Sequence, residues 1–592
     1  MTLSKKHKKL TIILSAIIIS MVVLIFILQL IVSSIVTNKI ENALADRDEE
    51  LYKVEVGTTK MNLFTMTLIL KDINITPDSA YLSKLLTSET KHENIFKVSI
   101  PMLRIRNIGI IGLIKDKFID VGDFVLKKAK VEVYTDGRPS PKKVEKKQVH
   151  KGLFNLDSIP LPGIGGGLIH KITIAEFGFN FINIIKNDTV FSAKRLNLDF
   201  ENASLLKNET DSTSFRFKLN DVAVELTDER FQLPGGKYEM SFHKLRYNKH
   251  DSTLVFNNLS VKPRYSRTKM VSFSNYQYEI YNADIEKVEV KSINLRDIIK
   301  ETKIFLSNVS VDNMKLVIFK DKSKPFDESK RPKLPNQLLK GMKQELYIDS
   351  INITNSELVY SEKHDLMEEL MMVTLGDFNV RIKNITSIPD SINAGTSMSI
   401  NLVAKLQKTI PMGVDIYFPM KSVSDTFMFS GHLAGGEMKI FNSVLLPVLG
   451  LKFEQGSLDK IKFSANANPT YSVGTMTMQY HDLVGDVQKQ DMVEKNKFLS
   501  WVANSVIIRN NPIKDKDVRV VPMYFERVNY KGIGNYLWKT LQSGIIATIV
   551  PTMHNKVQNQ IDLTLGTDSK TIKKREKTKK REERKNNKKK KK

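Results

Sequence analysis

The sequence predicts a mainly β protein: an N-terminal transmembrane helix, then a long, curved, repeat-built β-sheet forming an open trough. Few short helices and a disordered basic C-terminal tail complete it. Three observations carry this. Residues 10–36 form an uncharged apolar run of 27. Most of the chain after it alternates apolar and polar residues with a period of two, the pattern of strands with one apolar face. The excess positive charge is concentrated at the C-terminal end.

The N-terminal elements follow in order. Residues 1–9 carry Lys5, Lys6, His7, Lys8 and Lys9. The run from Leu10 to Val36 would make about 40 Å of helix at 1.5 Å per residue, enough to cross a hydrocarbon core about 30 Å thick. It is longer than a cleaved signal's apolar stretch, and Ala45 lies beyond its end, so it reads as an uncleaved signal anchor. The basic flank places residues 1–9 in the cytoplasm and the bulk of the chain on the far side. In a Gram-negative cell that means a single-pass inner-membrane protein with a periplasmic body.

The body, residues 46–495, reads as strand after strand. Alternation is clear at 60–76 (with one slip), 99–112, 118–134, 168–182, 213–226, 237–247, 252–261, 275–294, 304–319, 346–360, 371–385, 396–406 and 413–418. Helical spacing is confined to 80–87, 338–343, 441–449, 498–508 and 536–549. Segments beginning at Phe124, Ile169, Ile304 and Leu346 align as an alternating strand, a polar kink and a second strand. Three end in an aromatic residue and an acid two places on: Tyr134 and Asp136, Phe319 and Asp321, Tyr360 and Glu362. Such recurrence predicts a strand–bend–strand repeat. Polar, Pro- and Gly-rich stretches at 136–167 and 320–337 read as loops. Residues 496–550 form a closing segment of helix and strand, and 570–592 a tail too charged to fold.

Composition excludes several classes. The 592 residues contain no Cys, which removes disulfides, thiolate metal sites and a cysteine nucleophile. The formal net charge is +26, but Lys570–Lys592 alone holds fifteen Lys and Arg against three Glu. The body is therefore only mildly basic, and no nucleic acid partner is expected. No phosphate-binding loop, H-E-x-x-H helix or nucleophile elbow occurs. Gly163–Gly167 lacks the strand and final glycine of a nucleotide fingerprint. The histidines show no ligand spacing. The sequence nominates no catalytic residue, metal or cofactor, and a non-enzymatic role is expected.

The anchor is followed by VEVGTTKMNLFTMTLILKDINITPD (54–78). Further on come Arg331-PKLPNQLLKGMKQELYIDSINITNSELVYSE, Asn384-ITS, Val502-ANSVIIRNNP and Phe525-ERVNYKGIGNYLWKTLQSGI. Together these resemble the AsmA-like envelope proteins, in a branch of Bacteroidota type, over roughly residues 10–550. The resemblance implies kinship with bridge-like lipid-transfer proteins: a curved sheet with an apolar inside, anchored in the inner membrane, that moves phospholipid for outer-membrane maintenance. Its partners would be phospholipids, the inner membrane, and anionic lipid or a protein at the outer membrane.

The alternation fits independently, since an apolar face without covering helices needs something to cover it. Groove candidates are Leu68, Leu70, Ile73, Ile105, Val131, Val133, Ile172, Ile174, Val317, Phe319, Ile351 and Ile353. Which strand parity faces the groove is left open, because one register slip reverses it. Lys573, Lys574, Lys579, Lys580, Lys588, Lys589 and Lys590 of the tail are candidates for contact with an anionic surface. The alternative is an envelope scaffold of β-sandwich repeats that binds other proteins or peptidoglycan.

Overall fold

The computed structural model describes residues 52–78, 95–135, 159–160, 165–183, 188–207, 214–218, 221–233, 235–294, 297, 303–364, 369–449, 451–487 and 508–567. The anchor, residues 80–87, most of 136–167, residues 498–507 and the basic tail lie outside the described residues. Among the described residues no helix is long and apolar enough to cross a membrane. The fold is mainly β with few short helices. It divides into two compact units at Asn258/Leu259.

The first unit contains β1 (Tyr52–Asn62), β2 (Thr67–Pro77), β3 (Ile95–Ile108), α1 (Ile110–Asp116), β4 (Phe118–Lys127), β5 (Lys130–Thr135) and β6 (Ile159–Pro160). It continues with β7 (Gly166–Asn183), β8 (Asp188–Lys207), β9 (Ser214–Lys218), β10 (Asp221–Gln232) and β11 (Tyr238–Asn248). The slip in the alternation at 60–76 is a hairpin turn rather than one strand. The Asn62 side chain accepts from the Phe64 and Thr65 amides at 3.0 and 3.1 Å and turns the chain. β1, β2 and β3 pair antiparallel. β4 and β5 together pair with β3 on one side and, in parallel, with β7 on the other. β8, β10 and β11 follow antiparallel.

β12 (Thr253–Pro263) spans the division. The second unit runs through α2 (Arg267–Ser272), β13 (Glu279–Lys291), β14 (Lys303–Asp321), α3 (Pro335–Lys340), β15 (Glu345–Lys363), β16 (Met371–Thr386), α4 (Pro389–Asn393), β17 (Ser397–Leu406) and β18 (Ile410–Pro419). Then come β19 (Phe427–Leu433), β20 (Gly436–Glu437), α5 (Asn442–Leu449), β21 (Leu451–Ala467), β22 (Tyr471–Val487), β23 (Val520–Glu526), α6 (Ile533–Ile549) and α7 (Pro551–Leu565). Strands β13 to β19, then β21, β22 and β23, are successive neighbours. Only β14 and β15 among them are parallel.

The internal repeat has a structural meaning. The segments at Ile304 and Leu346 are β14 and β15, and Ile304 pairs with Leu346 in the register the repeat predicts. The segments at Phe124 and Ile169 are also parallel neighbours, but Phe124 pairs with Ile172, three residues along. A parallel pair needs a long crossover. The two stretches read as loops, 136–167 and 320–337, fall between these parallel partners. The second is a packed strap rather than a free loop: Leu334 is fully buried, and Lys324 Nζ donates to the carbonyls of Val271 and Ser274 at 2.7 and 2.5 Å.

The kink is a residue with positive φ, inside a strand in the segments at Ile169, Ile304 and Leu346 and at Lys128 between β4 and β5 in the segment at Phe124. Inside strands the conformation recurs. Asp72, Glu176, Asp228, Asn313, Asn355 and Asp377 all adopt it. Three of the six are Asp and two are Asn, small polar types that tolerate the left-handed region best, with Glu176 the exception. Asn313 and Asn355 stand opposite each other in the parallel ladder, so the kinks form a crease across the strands. The crease has its own hydrogen bonds: the Asn355 amide donates to Asn379 Oδ1 at 3.0 Å. In the first unit the buried Glu229 carboxylate accepts from the amides of Lys194 and Arg195. We expect Asn355→Val to cost roughly 1–2 kcal/mol, because a β-branched residue resists positive φ. Asn355→Gly should cost less, which thermal unfolding of both variants will measure.

Candidate functional site

The register sorts the side chains of each unit onto two faces of opposite chemistry. In the first unit Leu68, Ile105, Phe124, Ile172, Phe200 and Val222 form one cross-strand row. Leu70, Leu103, Leu126, Ile174, Leu198 and Val224 form the next. One residue away, on the other face, Arg106, Asp123, Lys171, Glu201 and Asp221 stand in a row.

The second unit repeats this over more strands. Val290, Val309, Ile351, Ile382, Ile400, Ile416, Phe429 and Ala465 are successive partners. Beside them run Val288, Val311, Ile353, Val380, Leu402 and Val414. The intervening row on the opposite face is Glu289, Ser310, Asn352, Arg381, Asn401, Asp415, Ser430 and Ser464.

Left-handed residues keep the apolar side chains on one face by reversing the alternation. Leu70 and Ile73, three residues apart around Asp72, are both buried. In the second unit Met314, Leu358 and Leu375, beyond the crease, pack with Ile353, Val380 and Phe378, before it or beside it.

These rows place the sequence-derived candidates. Leu68, Ile105 and Ile172 share one row, and Leu70 and Ile174 the next. Ile73 pairs with Ile100, while Val131 and Val133 pair with Phe179 and Phe181. Ile351 and Ile353 lie in the two rows of the second unit. Val317 and Phe319 do not join them. Asn313 reverses the alternation of β14, so Leu316, paired with Leu358, faces the apolar side and Val317 and Phe319 face the other. There Phe319 is buried under the Arg267 guanidinium, 4.2 Å from its ring centroid.

The apolar face of the second unit is covered at one end. Helix α6 lies on β22 and β23, where Tyr536 and Ala547 join Phe418, Phe427, Met476 and Met523 in a closed core. Gly544 permits the contact, since a Cβ there would stand 2.6 Å from Met523 Cγ. The Ser472 and Thr540 hydroxyls bond each other at 2.6 Å in this core, and Arg519 donates to the Thr548 carbonyl at the end of α6 at 3.1 Å. Helix α7, absent from the sequence reading, follows Pro551 and buries only Val557 and Ile561. From β13 to β15 the same rows are only half-buried.

Past the crease the apolar side ends in a polar rim. By alternation from Leu316 and Leu358, Ile318 and Lys320 of β14 and Tyr360 and Glu362 of β15 lie on this side, with Glu279 paired to Lys320. Glu362 is buried and bonded three ways: by Lys322 Nζ at 2.5 Å, by His364 Nε2 at 3.1 Å and by the Tyr360 hydroxyl at 2.5 Å. Burial pushes this carboxyl up. The His364 hydrogen bond, the Lys322 charge and bond, and the Tyr360 bond outweigh burial and hold it down at about 2. The sequence pairing of Tyr360 with Glu362 is thus a direct hydrogen bond.

No protein-family model matches the chain, and no curated protein matches it. Among the described residues there is no cluster of acidic and histidine side chains able to hold a metal.

Because folding lowers the Glu362 pKa, its contribution is complete above about pH 4.5 and is lost as the pH falls towards 2. We expect Glu362→Gln to lower stability at neutral pH by at most about 3 kcal/mol. The gap from wild type should close as acid protonates Glu362, which denaturant melts from pH 6 to pH 2 will show.

Proposed function

We propose that this chain is a lipid-binding envelope protein that carries acyl chains on the apolar side of its sheet. The supporting observation is the pair of continuous aliphatic rows in the second unit, closed by α6 at one end and half-buried from β13 to β15. Rows of Val, Ile and Leu with no polar side chain among them offer an acyl chain shelter at about 0.8 kcal/mol per methylene. No reacting group is needed for that task. With the anchor expected at 10–36, the chain would hold phospholipid beside the inner membrane and pass it along the groove towards the outer membrane. This is the role implied by the AsmA-like resemblance. Removing a lipid from a bilayer exchanges one apolar surrounding for another, so transfer along such rows is close to neutral. The expected contact of the Lys-rich tail with an anionic surface belongs to the same reading.

Adjacent residues on opposite faces provide the test. Ile353→Lys places a charge in the rows, and Asn352→Lys places one on the polar face. Native mass spectrometry of the full chain, extracted in mild detergent, should show bound phospholipid in the wild type and Asn352→Lys. Ile353→Lys should lose it while keeping its β circular dichroism. A folded wild type without lipid would overturn the proposal and favour a scaffold.

A further inference from the structure

The polar rim of the second unit faces a second set of cations. Lys320 of β14 and Lys531, just before α6, both lie over the ring of Phe326, at 4.9 and 4.7 Å from its centroid. Eight strand steps separate β14 from β23, about 38 Å in a flat sheet at 4.7–4.9 Å per step. The Lys531 amide bonds the Val528 carbonyl at 2.9 Å, which keeps Lys531 close to the end of β23. The sheet of this unit therefore curls about its apolar side and brings the two lysines to one ring.

The charges there are unbalanced. Lys320 pairs with Glu279 at 3.3 Å and Lys322 with Glu362. Lys531, Lys539 and Arg527 are half-buried around the start of α6, and no carboxylate pairs with them among the described residues. Arg527 reaches only the Pro332 carbonyl, at 2.5 Å, and its Nε is buried without a partner. Lys539 has only Gln542 Oε1, at 2.8 Å. Glu328 is the remaining carboxylate that acts on Lys531. Burial, then the charges of Lys322 and Lys320, hold the Lys531 ammonium below its ordinary value. Burial, then Lys322 and Lys531, do the same to Lys539, outweighing the opposing charge of Glu362. Helix α6 adds its own positive end: Gly532 gives it no side-chain cap, and nothing lies within 4 Å of where side chains would begin at Gly532 and Gly534.

We propose that this basic rim seats the phosphate of an anionic amphiphile whose acyl chains lie on the adjoining apolar rows. The inference rests on the lipid-binding reading and specifies where the head group sits. Half-buried cations that repel one another weaken the fold when empty, and a phosphate between the strap and α6 would satisfy them with charge-assisted hydrogen bonds.

The test uses the full chain in amphipol and equilibrium dialysis with three probes: dihexanoyl phosphatidylglycerol, uncharged dihexanoylglycerol and inorganic phosphate. The double variant Lys531→Gln/Lys539→Gln should melt no lower than wild type, because it removes repelling charges. It should bind the phospholipid at least tenfold more weakly and dihexanoylglycerol equally well. Lys531→Arg/Lys539→Arg should retain phospholipid binding, which separates charge from packing. Equal phospholipid binding by the Gln variant, with dihexanoylglycerol still bound, would overturn the head-group site and leave the groove standing. Inorganic phosphate bound as tightly as the phospholipid would mark a site for a free anion and overturn the link to lipid. Binding of neither amphiphile by the wild type would overturn the groove and the rim together.

Discussion

The controlling constraint is the two-residue period of a strand. Every second side chain falls on the same face, so a sequence alternating Ile or Val with Ser, Asn or charged residues builds a sheet of two unlike faces. Its polar face is at ease in water, with cross-strand contacts such as Arg381 Nε to Asn352 Oδ1 at 3.0 Å and Asn401 Nδ2 to Asp415 Oδ1 at 2.8 Å. The apolar face has to be covered. In the second unit α6 covers one end of it, and the curl of the sheet shelters the rest.

The left-handed residues make long strands compatible with that constraint. A strand of nineteen residues such as β14 bends at Asn313, and an ordinary bend would send half its apolar residues to the wrong face. The reversal at Asn313, matched at Asn355 and Asp377, restores the face while the ladder continues on both sides. The crease thus joins two alternating segments of opposite parity into one apolar surface.

Much of this was legible in the sequence. The β class, most strands from β3 to β18, helix α6 and the β14–β15 repeat all follow from period, spacing and alignment. Other parts were not, helix α7 and strand β8 among them, and three features have a clear physical cause. Strands β21 and β22 carry Gly, Ser, Ala, Thr and Met where other strands carry Ile and Val, and so they lack the β-branched signal; β22 lies directly under α6, where Gly544 brings the helix close to Met476. The outward placement of Val317 and Phe319 depends on one backbone angle at Asn313, which leaves alternation looking normal on either side. The basic rim gathers residues from β14, the strap and α6, distant in sequence, and only the curl of the sheet brings them together.

The rows of the second unit have a mechanical consequence. Moving across the strands from Val309 to Ile351, Ile382, Ile400 and Ile416, each step of about 4.8 Å exchanges one aliphatic side chain for another of nearly the same size. Such a surface has little corrugation in that direction. An apolar chain resting on it meets neither a deep trap nor a steep barrier from strand to strand, so the direction across the strands is the smooth one.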